Sequence, residues 1–139
     1  MDRKMMKFPI ASIGAALGFL GVLAGAFGAH ALDGILAEQG TKPVWQTAVI
    51  FHLLHALAIT ALGWCCRPVS WKSILGLTAI AWSGGIICFS GSLYILTTGG
   101  PRIFGPITPL GGLLLLTGWL LAFLHGIRQR KSASLPTHT

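Results

Sequence analysis

The sequence predicts an all-α fold: an integral membrane four-helix bundle running up-down-up-down with both termini on the cytoplasmic side. Three observations carry this. Four apolar stretches approach the about 20 residues that a spanning helix needs. Of the 139 residues, 53% are hydrophobic and 9% charged, whereas soluble domains carry about a quarter charged residues. Small residues also recur along three of the stretches at helical spacing.

The first stretch covers residues 8–32 and contains no charge before its end. Ala11, Gly14, Gly18, Gly21, Gly25 and Gly28 recur in it at steps of 3, 4, 3, 4 and 3. Glycine costs roughly 1 kcal/mol against alanine in a water-exposed helix, so such a stripe would undermine a soluble one. In lipid the stripe lets a second backbone approach closely, which is how membrane helices associate. Ala29-His30-Ala31 also resembles a signal-peptide cleavage site. The apolar run before it exceeds the 7 to 15 residues of a signal core, so the segment is expected to stay as a span.

The second stretch is residues 44–64. Trp45 and Trp64 are 19 residues apart, about 28 Å along a helix, which would place both in the aromatic belts of a bilayer. His52 and His55 share one helical face with Ala48 and Ile59. The third stretch, residues 73–97, repeats Ala81, Gly84, Cys88 and Gly91 at 3, 4 and 3, with Ser90, Ser92 and Tyr94 near its end. The fourth, residues 109–127, opens on Thr108 as helix cap with Pro109 at the first helical position. It carries Gly111, Gly118 and Ala122 in line with Leu115. Residues 128–139 read as a polar cytoplasmic tail. The whole chain, 1–139, reads as a single membrane domain.

The joints are short: residues 33–43 with Asp33 and Glu38 as a solvated loop, a turn holding Arg67, Pro68, Ser70 and Lys72, and the breaker-rich TTGGPRIFGP. Short joints make neighbouring helices antiparallel. Positive residues resist translocation, and they divide unequally. Arg3, Lys4, Lys7, Arg67, Lys72, Arg128, Arg130 and Lys131 fall on one side, against Lys42 and Arg102 on the other. That asymmetry predicts both termini in the cytoplasm, or in the matrix of an organelle; a bacterial inner membrane is the expected location. It also explains the net charge of +7, so no nucleic-acid partner is expected. The adjacent Cys65 and Cys66 and the solitary Cys88 offer neither metal spacing nor a disulfide framework.

Polar residues concentrate in the outer half of the spans. His30, Gln46, His52, His55, Ser90, Ser92, Tyr94 and Thr108 are the candidate lining of a small outward-opening polar pocket. The plainer reading is that such groups hydrogen-bond across helices and fix their register. A proton or solute path is the sharper alternative, because intramembrane ionisable residues mark relays. A metal or haem held by His30, His52 and His55 is disfavoured, since His30 would lie about 10 Å above His52 on regular helices. No cofactor, metal or catalytic residue is expected. His125, near the end of the last span, faces the negative end of its helix.

Four strings stand out: GAFGAHAL at 25–32, WQTAVIFHLLHALA at 45–58, FSGSLYIL at 89–96 and GPITPLGGLLLLTGW at 105–119. Together they resemble the small membrane proteins of the domain of unknown function 423 family, which includes eukaryotic transmembrane protein 256. The likeness runs from about Ile10 to Leu124. It implies four spanning helices and brings no assigned activity. It places His30, Trp45, His52, His55, Ser90, Ser92, Tyr94, Thr108, Pro109, Gly111 and Gly112 in the family's strings. Phe51 stands where the family pattern leads one to expect tyrosine. The expected function is that of a non-enzymatic accessory or interaction subunit, its partners being the lipid bilayer and a homo-oligomer or larger membrane complex. The rival is a small-molecule, lipid or proton-handling protein using the outer pocket.

Overall fold

The computed structural model describes residues 9–66 and 69–133. The basic positions Arg3, Lys4, Lys7 and Arg67, and tail residues 134–139, lie outside the described residues. Six α-helices follow in order: α1 (Ile10–Ala29), α2 (Asp33–Glu38), α3 (Lys42–Cys65), α4 (Ile74–Gly85), α5 (Gly91–Thr97) and α6 (Ile107–Ala133). A π-helical turn, Ile86–Ser90, joins α4 to α5, so that 74–97 forms one continuous span. With α1, α3 and α6 that makes, among the described residues, four helices long and apolar enough to cross a membrane.

The helices begin and end where local chemistry dictates. Pro43 sits in the first turn of α3, where its missing N–H leaves nothing unpaired. Ser73 caps α4, its hydroxyl accepting the Gly76 N–H at 3.1 Å. α5 closes in a Schellman turn: the Gly100 N–H donates to the Ile95 carbonyl at 2.9 Å and the Gly99 N–H to that of Leu96 at 3.3 Å. That geometry needs a left-handed residue, and Gly99 supplies it with φ of 84°. Gly40, at φ of 64°, ends α2 in the same way.

Packing along α1 follows the glycine stripe. Gly14 lies over Thr60, Gly18 over Ala56, Gly21 over Leu53, Gly25 over Val49 and Gly28 over Trp45, so α1 and α3 run antiparallel with the stripe turned inward. α3 contributes Gly63, against which Ala11 packs. On the other side α6 runs antiparallel to α4 and the π turn, Gly118 under Trp82, Gly111 under Phe89, and Gly85 of α4 under Leu115. Ile10, Ala56, Ile59, Val69, Ala79, Trp82, Ile86 and Leu115 form the shared core. α1 and α6 are the outer helices, with 22% and 17% of their spanning windows buried against 39% for α3. Phe19, Leu20, Val22 and Phe27 on α1 and Leu113, Leu116, Leu120 and Phe123 on α6 face outward.

Several sequence expectations change. Residues 33–43 are not a plain loop: α2 forms there because Leu36 is completely buried, and Asp33 pairs with Lys42 at the start of α3. The seam read on the third span is out of register. Gly85, not Gly84, takes the close contact, and Gly91 has nothing within 4 Å of where a side chain would begin. For Gly91 the cause is the π turn, in which its N–H reaches back five residues to the Ile86 carbonyl. Such a turn takes in an extra residue and rotates everything after it. Thr108 is not a cap, because α6 already begins at Ile107. α6 also runs on to Ala133, so the expected tail starts as helix. Trp45 is not a belt residue: it is 7% exposed, seated over Gly28.

Candidate functional site

The polar residues at membrane depth form a ladder of cross-helix bonds along α3. At one end the Thr41 hydroxyl donates to the Thr97 carbonyl at 2.8 Å. One turn in, the Trp45 indole N–H crosses to α1 and donates to the Ala24 carbonyl at 3.1 Å. Further along, the Ser90 hydroxyl of the π turn donates to the Ala48 carbonyl at 2.8 Å. Ser90 is completely buried, and the π turn is what delivers its hydroxyl to this carbonyl instead of leaving it on the regular helical face.

His52 and Tyr94 meet next, Nδ1 to hydroxyl at 3.2 Å. The tyrosine ring also packs at 4.6 Å, centroid to centroid, on Trp45. The other imidazole nitrogen, Nε2, is buried and makes no hydrogen bond. The Cδ2 edge of the same ring faces Gly21 of α1.

His55 is fixed on both sides. Its Nε2 lies 3.0 Å from the Trp119 indole nitrogen, and an indole N–H can only donate. Nε2 is therefore the acceptor, and the proton sits on Nδ1, which donates to the Phe51 carbonyl at 2.7 Å. The ring is a neutral imidazole with both nitrogens used. Trp82 and Trp119 enclose it edge-on, centroids at 6.2 and 6.1 Å. On the far side of α5, Ser92 and Thr108 hydroxyls lie 2.7 Å apart. Ser92 also reaches the Phe89 carbonyl at 3.0 Å. Since that carbonyl cannot donate, both bonds form together when Ser92 donates to it and Thr108 donates to Ser92.

Of the eight candidate residues, His52, His55, Ser90 and Ser92 are buried and Tyr94 and Thr108 half-buried; His52 pairs with Tyr94 and Ser92 with Thr108, while His55 and Ser90 bond to Trp119 and the Ala48 carbonyl instead. His30 and Gln46 are exposed. Gln46 follows the inward Trp45 by one residue, and a 100° step carries it off the packed face. Reading spacing alone missed Trp119 and Trp82. They lie 64 and 27 positions from His55, and Trp119 registers earlier only as the last letter of GPITPLGGLLLLTGW. Gly118, which seats the Trp82 ring, is the sequence signal that could have located it.

Chemically this arrangement is poor in acid–base and nucleophilic means. The chain's acids are Asp2, Asp33 and Glu38, none within a spanning helix. Among the described residues no three His, Cys, Asp or Glu side chains converge as metal ligands would. The Ser90 hydroxyl gives its proton to a backbone carbonyl, not to a base.

Comparison with known proteins places the chain among membrane proteins. The family described as "Protein of unknown function (DUF423)" matches residues 24–112. A UPF0382 membrane protein of Staphylococcus haemolyticus is 40% identical over 119 residues, covering 81% of this chain and 89% of its own. The UPF0382 membrane protein YwdK of Bacillus subtilis is 36% identical, covering 84% and 94%. One from Schizosaccharomyces pombe is 36% identical, covering 78% and 92%. No solved structure matches the chain.

Proposed function

From the premise that the chain belongs to the DUF423 family of membrane proteins, a family without an assigned activity, we propose that it is a non-enzymatic accessory or interaction subunit of a bacterial inner membrane. The observation that carries this is the use made of the polar side chains. Trp45, His52, Ser90, Ser92 and Trp119 bond across helices, and His55 has no nitrogen left for chemistry. The outer faces of α1 and α6 are wide, apolar and free for neighbours, whether lipid, a second copy or a larger complex. The lysine and arginine count supports an orientation with both termini cytoplasmic.

Replacing His52 and His55 by glutamine or leucine tests the reading. A structural role lowers folded yield and leaves no separate loss of function. Purification of the native chain in lipid nanodiscs should bring down a stoichiometric membrane partner or a second copy. Variants that fold normally yet abolish a growth phenotype would overturn the accessory role. They would favour the rival, a proton- or small-molecule-handling site, whose one supporting observation is the unbonded, buried Nε2 of His52.

A further inference from the structure

α1 follows α3 so closely, through Gly14 on Thr60 and Ala11 on Gly63, that a gap is left between α1 and α4. It is a groove of about 290 Å³. Ile10 and Ile13 of α1 form one wall, Ala79, Ile80 and Ser83 of α4 the other, and Ile59 of α3 the floor. Ile59 is completely buried, whereas Ile80 at the rim is 46% exposed, so the groove opens outward to the hydrocarbon. At roughly 30 Å³ for a methylene-sized unit, taken from the share of a water in its liquid, it holds about ten such units.

The groove lies toward the end of the bundle where α1 begins, α3 ends and α4 begins. That end is basic. Sequence places Arg3, Lys4 and Lys7 before α1, Arg67 and Lys72 between α3 and α4, and Arg128 near the end of the antiparallel α6, while Asp33 and Glu38 belong to the opposite end. Trp71 is half exposed, with the Lys72 ammonium 5.0 Å over its ring, the arrangement of a residue pair at the membrane–water interface. Lys72 lies two residues before α4, and the six residues from Ile74 to Ile80 span about 9 Å of helix, within the about 15 Å depth of one leaflet's hydrocarbon.

We propose that this groove binds one acyl chain of an anionic phospholipid whose headgroup is held at Lys72. The site is independent of the accessory role argued above. Apolar walls accept the chain, and the surrounding positive charge selects the headgroup. The test is retention of lipid by the full chain, purified from nanodiscs of equal phosphatidylglycerol and phosphatidylcholine and read by native mass spectrometry. The wild type should keep one phosphatidylglycerol, preferred several-fold over phosphatidylcholine. Ser83→Leu, which fills the groove, should lose retention of both lipids. Ile80→Trp blocks the exposed rim without entering the core and should do the same, should Ser83→Leu fail to fold. Lys72→Gln should keep a lipid but cut the preference about fivefold, the effect of the about 1 kcal/mol that one lysine contributes at an anionic surface. Retention without headgroup preference in the wild type, undiminished retention in folded Ile80→Trp, or an unchanged preference in Lys72→Gln would each overturn the proposal.

Discussion

Gly14→Ala should separate α1 from α3, whereas Gly18→Ala, one turn along the same stripe, should not. A methyl at Gly14 would fall 2.5 Å from the Thr60 backbone nitrogen and 2.9 Å from its Cα. Carbon contacts are optimal at about 3.5–4.0 Å, so the two backbones must part by roughly 1 Å. A gap of that size forfeits a quarter to a half of each contact's attraction. Spread over about three dozen atom pairs around the site, at about 0.1–0.2 kcal/mol each, the loss is about 1–4 kcal/mol. Lipid supplies no hydrophobic force to restore the association, so the loss should appear in full. At Gly18 the nearest atom is the Ala56 Cβ at 3.9 Å, an ordinary contact. Alanine there gains helix propensity and should be neutral or stabilising by up to about 1 kcal/mol. Unfolding in mixed micelles with increasing dodecyl sulfate, followed by tryptophan fluorescence and circular dichroism, measures both. Equal midpoints for the two variants would refute close backbone approach as what holds α1.

Gly111→Ala should be severely destabilising, since its Cβ would sit 2.7 Å from the Cys88 carbonyl carbon, while Gly91→Ala should fold as the wild type; the same titration distinguishes them, and a damaging Gly91→Ala would contradict the π-turn register. A double-mutant cycle of His55→Phe with Trp119→Phe should give a coupling of about 0.6 kcal/mol, at most about 1.7, the range for hydrogen bonds between membrane helices; zero coupling would mean that the indole donates elsewhere. Asp33→Asn should change stability by less than about 1 kcal/mol, because both partners of its pair with Lys42 are close to half exposed; a larger loss in the titration would show that the pair anchors α2.

The spans were legible because hydropathy and length are properties of the sequence alone. The α1 stripe was legible for a related reason: helical period is preserved from Gly14 to Gly28, so residues read as one face remain one face. The third span was not. One extra residue in the turn from Ile86 to Ser90 leaves no trace in composition, yet it rotates Gly91 off the seam and turns the Ser90 hydroxyl onto Ala48. Trp45 was misread because position along a helix gives depth and not direction. The indole lies inward only because Gly28, on another helix, leaves room for it. The same limit separates the candidate site into what spacing could and could not supply. His52 and His55 share a face at i and i+3, but their partners Tyr94 and Trp119 arrive from different helices. Gln46 is polar and close in sequence, yet a single 100° step takes it away.

Two means of holding helices are thus divided between the two sides of α3. On the α1 side the contact is backbone against backbone, the glycines supplying closeness and the Trp45 N–H a polar link. Towards the third span, α3 is tied by side-chain bonds from Thr41, Ser90 and Tyr94, and α5 is tied onward to α6 by Ser92 and Thr108. Dispersion at close range is insensitive to angle, whereas a hydrogen bond fixes rotation. The polar side therefore sets the register of the third span, whose π turn would otherwise leave its face ambiguous. His52 stands between the two regimes, its Nδ1 bonded to Tyr94 and its Cδ2 edge against Gly21. Its Nε2 stays unbonded there, because the glycine-lined stretch of α1 across from it brings no side-chain acceptor or donor to meet the ring.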